Sequence, residues 1–109
     1  MPRDTLGEFE RVILFALVRL RDDAYGVSIR RYLSERLSRD IAIGAVYTTL
    51  QRLEEKGYVS SRLGDPTPSR GGRAKRYFYI EAQGAAALNR SERQRAAFDL
   101  QAPLAVGGD

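Results

Sequence analysis

Residues 43–80 read IGAVYTTLQRLEEKGYVSSRLGDPTPSRGGRAKRYFYI, and their texture changes twice. Val46, Leu50 and Leu53 fall at i, i+4 and i+7, the spacing of one helical face. A helix over 43–56 follows, ended by Gly57 as a left-handed C-terminal glycine. Residues 58–63 then turn to strand-forming types, and residues 64–72, with two prolines and three glycines, sustain neither helix nor strand. Residues 73–80 alternate, with Tyr77 and Tyr79 on one face and Phe78 and Ile80 on the other. Two strands around a Gly/Pro loop predict a β-hairpin directly behind a helix.

Upstream, Leu6, Phe9, Ile13, Ala16, Leu17 and Leu20 recur at helical spacing and predict a first helix over 6–21, entered through Asp4 or Thr5 as cap. Leu14, Phe15 and Val18 form a second apolar strip on the opposite side. A helix apolar on two sides is covered on two sides, and in so short a chain the second cover is expected from another subunit. Tyr25-Gly26 marks a turn. Residues 27–37 predict a second helix with Ile29, Tyr32 or Leu33, and Leu37 inward; Ser38-Arg39-Asp40 breaks it. Three helices joined by short turns and followed by a hairpin make a winged helix.

Beyond the hairpin, residues 82–100 predict a last helix whose large apolar residues are Leu88, Phe98 and Leu100. The rest of its apolar content is alanine, which favours helix but buries little area, so this helix needs a partner. The expected class is therefore mainly α with a small β-hairpin: a winged helix-turn-helix extended by a C-terminal dimerisation helix. The expected organisation is a winged-helix domain over 1–81, a dimerisation helix over 82–100 and a disordered tail over 101–109.

With 109 residues, 43% hydrophobic and 29% charged, the composition is that of one small soluble domain. Cys and His are both absent, which removes disulfides, thiolate nucleophiles, zinc ribbons and the commonest general base together. No catalytic, metal or cofactor site is expected. The longest apolar run, 12–18, is too short to span a bilayer. Acidic Asp4, Glu8 and Glu10 stand where a secretory signal needs positive charge, so a cytoplasmic protein is expected.

The net charge of +4 is unevenly placed. Residues 62–76 hold five basic side chains (Arg62, Arg70, Arg73, Lys75, Arg76) and one acid, Asp65, leaving 13 of each sign in the remainder. A basic segment on an otherwise balanced domain is what a polyanion-binding surface requires. It falls at the hairpin tip behind the third helix, where a wing reaches a phosphate strand or minor groove. That helix presents Ala45, Tyr47, Thr48, Gln51 and Arg52 outward. Thr48 can bond phosphate or touch a thymine methyl, Gln51 can pair with adenine, and Arg52 can bind guanine or phosphate. Arg70, Arg73, Lys75 and Arg76 supply the wing's charge, and Lys75 and Arg76 alternate along a strand, so one of the two is expected to face DNA. The alternative is a winged helix used as a protein-interaction or assembly module. Such a module has no reason to concentrate its net charge in the wing.

The ordered set of Leu6-Gly7-Glu8, Ile13-Leu14, Tyr25-Gly26, residues 43–50, Arg52-Leu53-Glu54, Gly57-Tyr58 and residues 72–79 resembles the PadR-like family of transcriptional regulators. The resemblance spans about residues 6–88. It implies a winged-helix homodimer acting on double-stranded DNA, usually as a repressor, with Tyr47, Thr48, Arg73, Lys75 and Arg76 at the DNA and the last helix making the dimer. The dimer contacts expected on these grounds are Leu14, Phe15 and Val18 with Leu88, Phe98 and Leu100. Three departures stand out. Ala42 replaces a frequent Ser cap before the third helix, Glu81-Ala82-Gln83-Gly84 replaces a commoner Thr-x-x-Gly, and the chain stops soon after the last helix, so the separate C-terminal domain of longer relatives is expected to be absent. Some short relatives bind aromatic drugs between subunits, often against a tryptophan in the last helix; this chain has no Trp, and no effector is assigned.

Overall fold

The first turn of helix α1 (Glu8–Leu20) shows how local sequence fixes the scaffold. Gly7 is its N-cap, and the Gly7 N–H donates to Glu10 Oε1 at 2.9 Å, so the third helical residue reaches back to hold the start. The expected Thr5 cap is therefore displaced by two residues. Asp4 lies outside the described residues, as do Arg70, Arg73 and the expected tail from residue 102 onward. The computed structural model describes residues 5–65 and 74–101.

A 3₁₀ turn, Arg21–Asp23, follows α1, and α2 runs Gly26–Leu37. The buried Ser28 hydroxyl accepts from the Tyr25 N–H at 2.9 Å and lies 2.6 Å from the Asp23 carbonyl, tying the turn to the helix start. Ser38, in the left-handed conformation at φ 53°, ends α2. Helix α3 spans Ile43–Glu55. Its N-cap, Ala42, offers no side-chain oxygen, and the first turn is held by the Ala42 carbonyl alone, accepting from Ala45 and Val46. At the other end Gly57 takes φ 81°, the Tyr58 N–H bonds to the Leu53 carbonyl and the Gly57 N–H to the Glu54 carbonyl. This is the Schellman arrangement that the glycine predicts.

Strands β1 (Val59–Leu63) and β2 (Arg76–Ile80) pair antiparallel, with Val59 opposite Ile80 and Leu63 opposite Arg76. The Phe78 N–H also donates to the Ala24 carbonyl at 2.9 Å, and Tyr25 bridges Tyr77, so the segment before α2 adds a rudimentary third strand. Phe78 points to the core and Tyr77 and Tyr79 to the other face, as the alternation predicts.

The core gathers around Ile13, Leu14, Leu17, Ile29, Val46, Leu50 and Leu53. α1 lies at its centre, touched by α2, α3, β2 and α4 (Ala82–Gln101) of the same chain. Two expectations change for this reason. Leu14 is fully buried by its own chain rather than left for a second one, and the first half of α4 packs on its own α1, burying Ala87 and Leu88. Leu37, expected inward, is 38% exposed, because it is the last residue of α2 and sits on the rim of an open groove. From Arg93 to Leu100 α4 is exposed throughout, and the molecule stretches to 61 × 30 × 20 Å. Among the described residues, no helix is long and apolar enough to cross a membrane, and no group of three potential metal ligands occurs.

An ionic lattice joins the two helices where apolar contact ends. Arg11 binds Glu8 at 2.6 Å and Glu92 at 3.0 Å, while Arg95 approaches Glu8 at 3.7 Å. The Arg11 hydrogen bond, reinforced by the nearby Arg95 charge, holds the Glu8 carboxyl below its ordinary value of 4.5. A depressed carboxylate pKa stabilises the fold above the unfolded value, and that stability is lost as pH falls through the folded value. Glu8→Gln should therefore lower the melting temperature at pH 7 slightly, as an exposed pair does. The difference from wild type should begin to shrink as thermal melts are repeated below pH 4.5 and vanish once the pH has fallen through the lowered folded value.

α4 crosses the hairpin base at Gly84, which is buried and whose Cβ, if present, would overlap the Tyr58 carbonyl. Gly84→Ala should cost about 1–3 kcal/mol through this overpacking. Gly44→Ala, at a helical position with open space beside it, should be neutral or stabilising by up to about 1 kcal/mol. Chemical denaturation of the two variants checks the contrast.

Candidate nucleic-acid interface

α3 is amphipathic in the sense that its sequence requires. Val46, Thr49, Leu50 and Leu53 are buried, while Ala45, Tyr47, Thr48, Gln51 and Arg52 are all exposed. The five residues expected to read a ligand thus occupy one open face, and Gly44 beside them leaves its own surroundings empty. Packing of the opposite face fixes where this surface lies. The Lys56 ammonium at the end of the helix meets both oxygens of the Glu10 carboxylate, at 3.1 and 3.2 Å, across to α1. The Glu10 side chain is only 8% exposed, so this pair is better shielded from solvent than the Glu8–Arg95 pair.

The wing root carries two of the four expected wing cations, and the structure separates them. Lys75 is half-buried, its ammonium 4.4 Å from the centre of the Tyr25 ring, close enough for a cation–π contact. Tyr25 in turn meets Tyr77 edge-on at 5.6 Å. Arg76 turns the other way, donating to Ser61 Oγ at 3.1 Å, and the Ser61 hydroxyl donates to Glu54 of α3 at 2.9 Å. Lys75 therefore stands at the start of α2, and Arg76 is tied toward the end of α3. Arg62 is held over the Tyr79 ring at 5.1 Å, with Nε donating to the Tyr79 hydroxyl at 3.3 Å.

Sequence reasoning missed how Tyr25-Gly26 joins these parts. Gly26 is buried because the Tyr47 side chain from α3 lies where its Cβ would stand. The two tyrosines thus bring the first turn of α2, the exposed face of α3 and the root of the wing together. A glycine in the first turn of a helix, where no positive φ calls for it, was the available signal. Of the expected subunit contacts, Leu14 and Leu88 are core, Phe15 is half-buried, and Val18, Phe98 and Leu100 are exposed.

Comparison with known proteins bears on this arrangement. The sequence profile of the transcriptional regulator PadR-like family matches residues 13–90. No curated protein sequence matches significantly. Among solved structures, a PadR-like transcriptional regulator from Bacillus cereus superposes with a TM-score of 0.75 at 17% identity, covering 93% of each chain. A PadR-like transcription factor from Bacteroides fragilis gives 0.71 at 20% identity over 84% of each chain. RosR from H. salinarum gives 0.68 at 26% identity, over 94% of this chain and 84% of that one.

Gly26→Ala forces the Tyr47 ring aside and should cost about 1–3 kcal/mol. In a Tyr47→Ala background most of that cost should disappear. A double-mutant cycle on thermal or urea unfolding should give a coupling of about 1 kcal/mol or more, and additive effects would disprove the contact.

Proposed function

The chain belongs to the PadR-like family of transcriptional regulators, and on that premise we propose that it is a sequence-specific DNA-binding repressor acting as a homodimer. The observation that carries the reading is the single open face of α3 bearing Ala45, Tyr47, Thr48, Gln51 and Arg52, flanked by Lys75 at the wing root. In this reading α3 enters the major groove, its small N-terminal residues allow close approach, and Thr48, Gln51 and Arg52 meet base edges and phosphates. Two copies then address half-sites about one helical turn apart on a near-palindromic promoter site in the cytoplasm. Lys75 is the better placed of the two wing-root cations for a phosphate beside Tyr47, since Arg76 already serves Ser61. Arg70 and Arg73, expected from the sequence to add to the wing's charge, lie outside the described residues.

The reading as a regulator rather than an enzyme is supported by the family and by a sequence without Cys or His. Fluorescence anisotropy on the gene's own upstream DNA and on random DNA tests it. Own-site binding should be at least about 10³-fold tighter at physiological salt; equal binding to both would overturn sequence-specific regulation. Lys75→Ala should weaken binding to all sequences and flatten the log K against log salt slope by about 0.9 for each phosphate lost. Arg76→Ala should do so less, and Gln51→Ala should change which base is preferred at one position per half-site.

A further inference from the structure

Three cations of the helical body are met by carboxylates: Arg11 by Glu8 and Glu92, Arg30 by Asp40, and Lys56 by Glu10. Lys75, at the root of the wing, is met by a ring instead. Its ammonium lies 4.4 Å from the centre of the Tyr25 ring and forms no ion pair among the described residues. The difference has an electrostatic consequence. A carboxylate in that place would cancel the charge that attracts a polyanion. The face of a neutral ring holds the ammonium through its quadrupole and leaves the full charge in place. A ring also occupies one side of the ammonium only, so N–H donors stay free for a second partner.

Tyr25 is itself firmly held. It is the N-cap of α2; its N–H donates to Ser28 Oγ at 2.9 Å and its carbonyl accepts from the Ile29 N–H at 2.8 Å. Its ring stands edge-on to Tyr77 at 5.6 Å, and the Tyr77 ring is confined in turn, lying where a Cβ on Gly64 would stand. The Lys75 backbone is fixed as well, because its carbonyl accepts from the Gly64 N–H at 2.7 Å just beyond the Leu63–Arg76 pair. Only the flexible stem of the lysine remains to be ordered. Such a stem loses rotamer freedom when it takes up a fixed partner. A ring that holds it beforehand removes part of that cost from binding.

Tyr25 adjoins Gly26, against which Tyr47 of the open α3 face lies. We propose that Tyr25 is a positioning residue for DNA binding: its ring keeps the charged Lys75 ammonium ready for a backbone phosphate at the junction of wing and α3. Tyr25 acts through Lys75 and does not touch the DNA. The inference rests on the DNA-binding reading, and it adds a residue that belongs neither to the basic segment nor to the outward face of α3.

Fluorescence anisotropy of the full chain on its own upstream DNA tests it. Tyr25→Leu should weaken binding about three- to fivefold, the size of an exposed cation–π contact. Tyr25→Phe keeps the ring and should stay within about twofold of wild type. In a Lys75→Ala background Tyr25→Leu should cost no further affinity, although its loss of stability through Tyr77, read by urea unfolding, should remain. By NMR, the Lys75 ε-methylene protons should be shifted upfield by the ring in wild type and Tyr25→Phe, and lose that shift in Tyr25→Leu. A Tyr25→Leu effect on affinity that persists in full without Lys75 would overturn the positioning role. So would a Tyr25→Phe variant as weak as Tyr25→Leu, which would make the hydroxyl a direct contact, or a Lys75→Ala variant that binds as wild type does. A wild-type chain that shows the upfield shift but does not bind DNA would instead overturn the DNA-binding reading itself.

Discussion

A carboxylate taken out of water must be neutralised and hydrogen-bonded or it costs several kcal/mol. Glu10 meets that demand with two partners from distant parts of the chain: the Gly7 N–H at the start of α1 and the Lys56 ammonium at the end of α3. One side chain therefore fixes where the central helix begins and how the end of α3 lies against it. The arrangement is rigid because both partners are dictated. The N-cap N–H has no intrahelical acceptor, and Lys56 precedes a glycine whose positive φ turns the backbone away. The exposed face of α3 is positioned from behind, by groups that never need to touch a ligand.

Much of this was legible in the sequence, for a physical reason. Elements that bury one face carry their period in the chain, so Val46, Leu50 and Leu53 were found at the correct spacing, and Gly57 and the strand alternation marked where the texture changes. The five outward residues of α3 followed by subtraction. What stayed hidden depends on contacts between elements. Period alone shows that α1 is apolar on a second side but not who covers it, and Leu14 proved to be covered by its own chain. The first capping residue was placed too early because a Glu three positions inside outcompetes a hydroxyl outside. Tyr25-Gly26 looked like a plain turn because the ring that fills the glycine's empty side comes from residue 47.

α4 divides into two physical regimes. Up to Leu88 it is held by burial against α1 and the hairpin base; around Glu92 and Arg95 it is held by charge; beyond that it meets only solvent within one chain. Under the proposed homodimer, this gradation suits an arm that reaches toward a second copy. It also explains why an alanine-rich sequence suffices there: the first half needs small residues to approach Tyr58 closely, and the second half needs helix propensity more than area.

The charged middle of that arm bears on how ionic strength acts on the molecule. At physiological salt the screening length is about 8 Å, and the pairs among Glu8, Arg11, Glu92 and Arg95 are open enough for added ions to weaken them. Raising salt therefore loosens the joint between α1 and the second half of α4, and under the proposed function it would displace DNA from the wing at the same time. A titration that attributes the whole slope to released counterions would count more phosphates than the surface touches. The excess measures the stiffness of the joint.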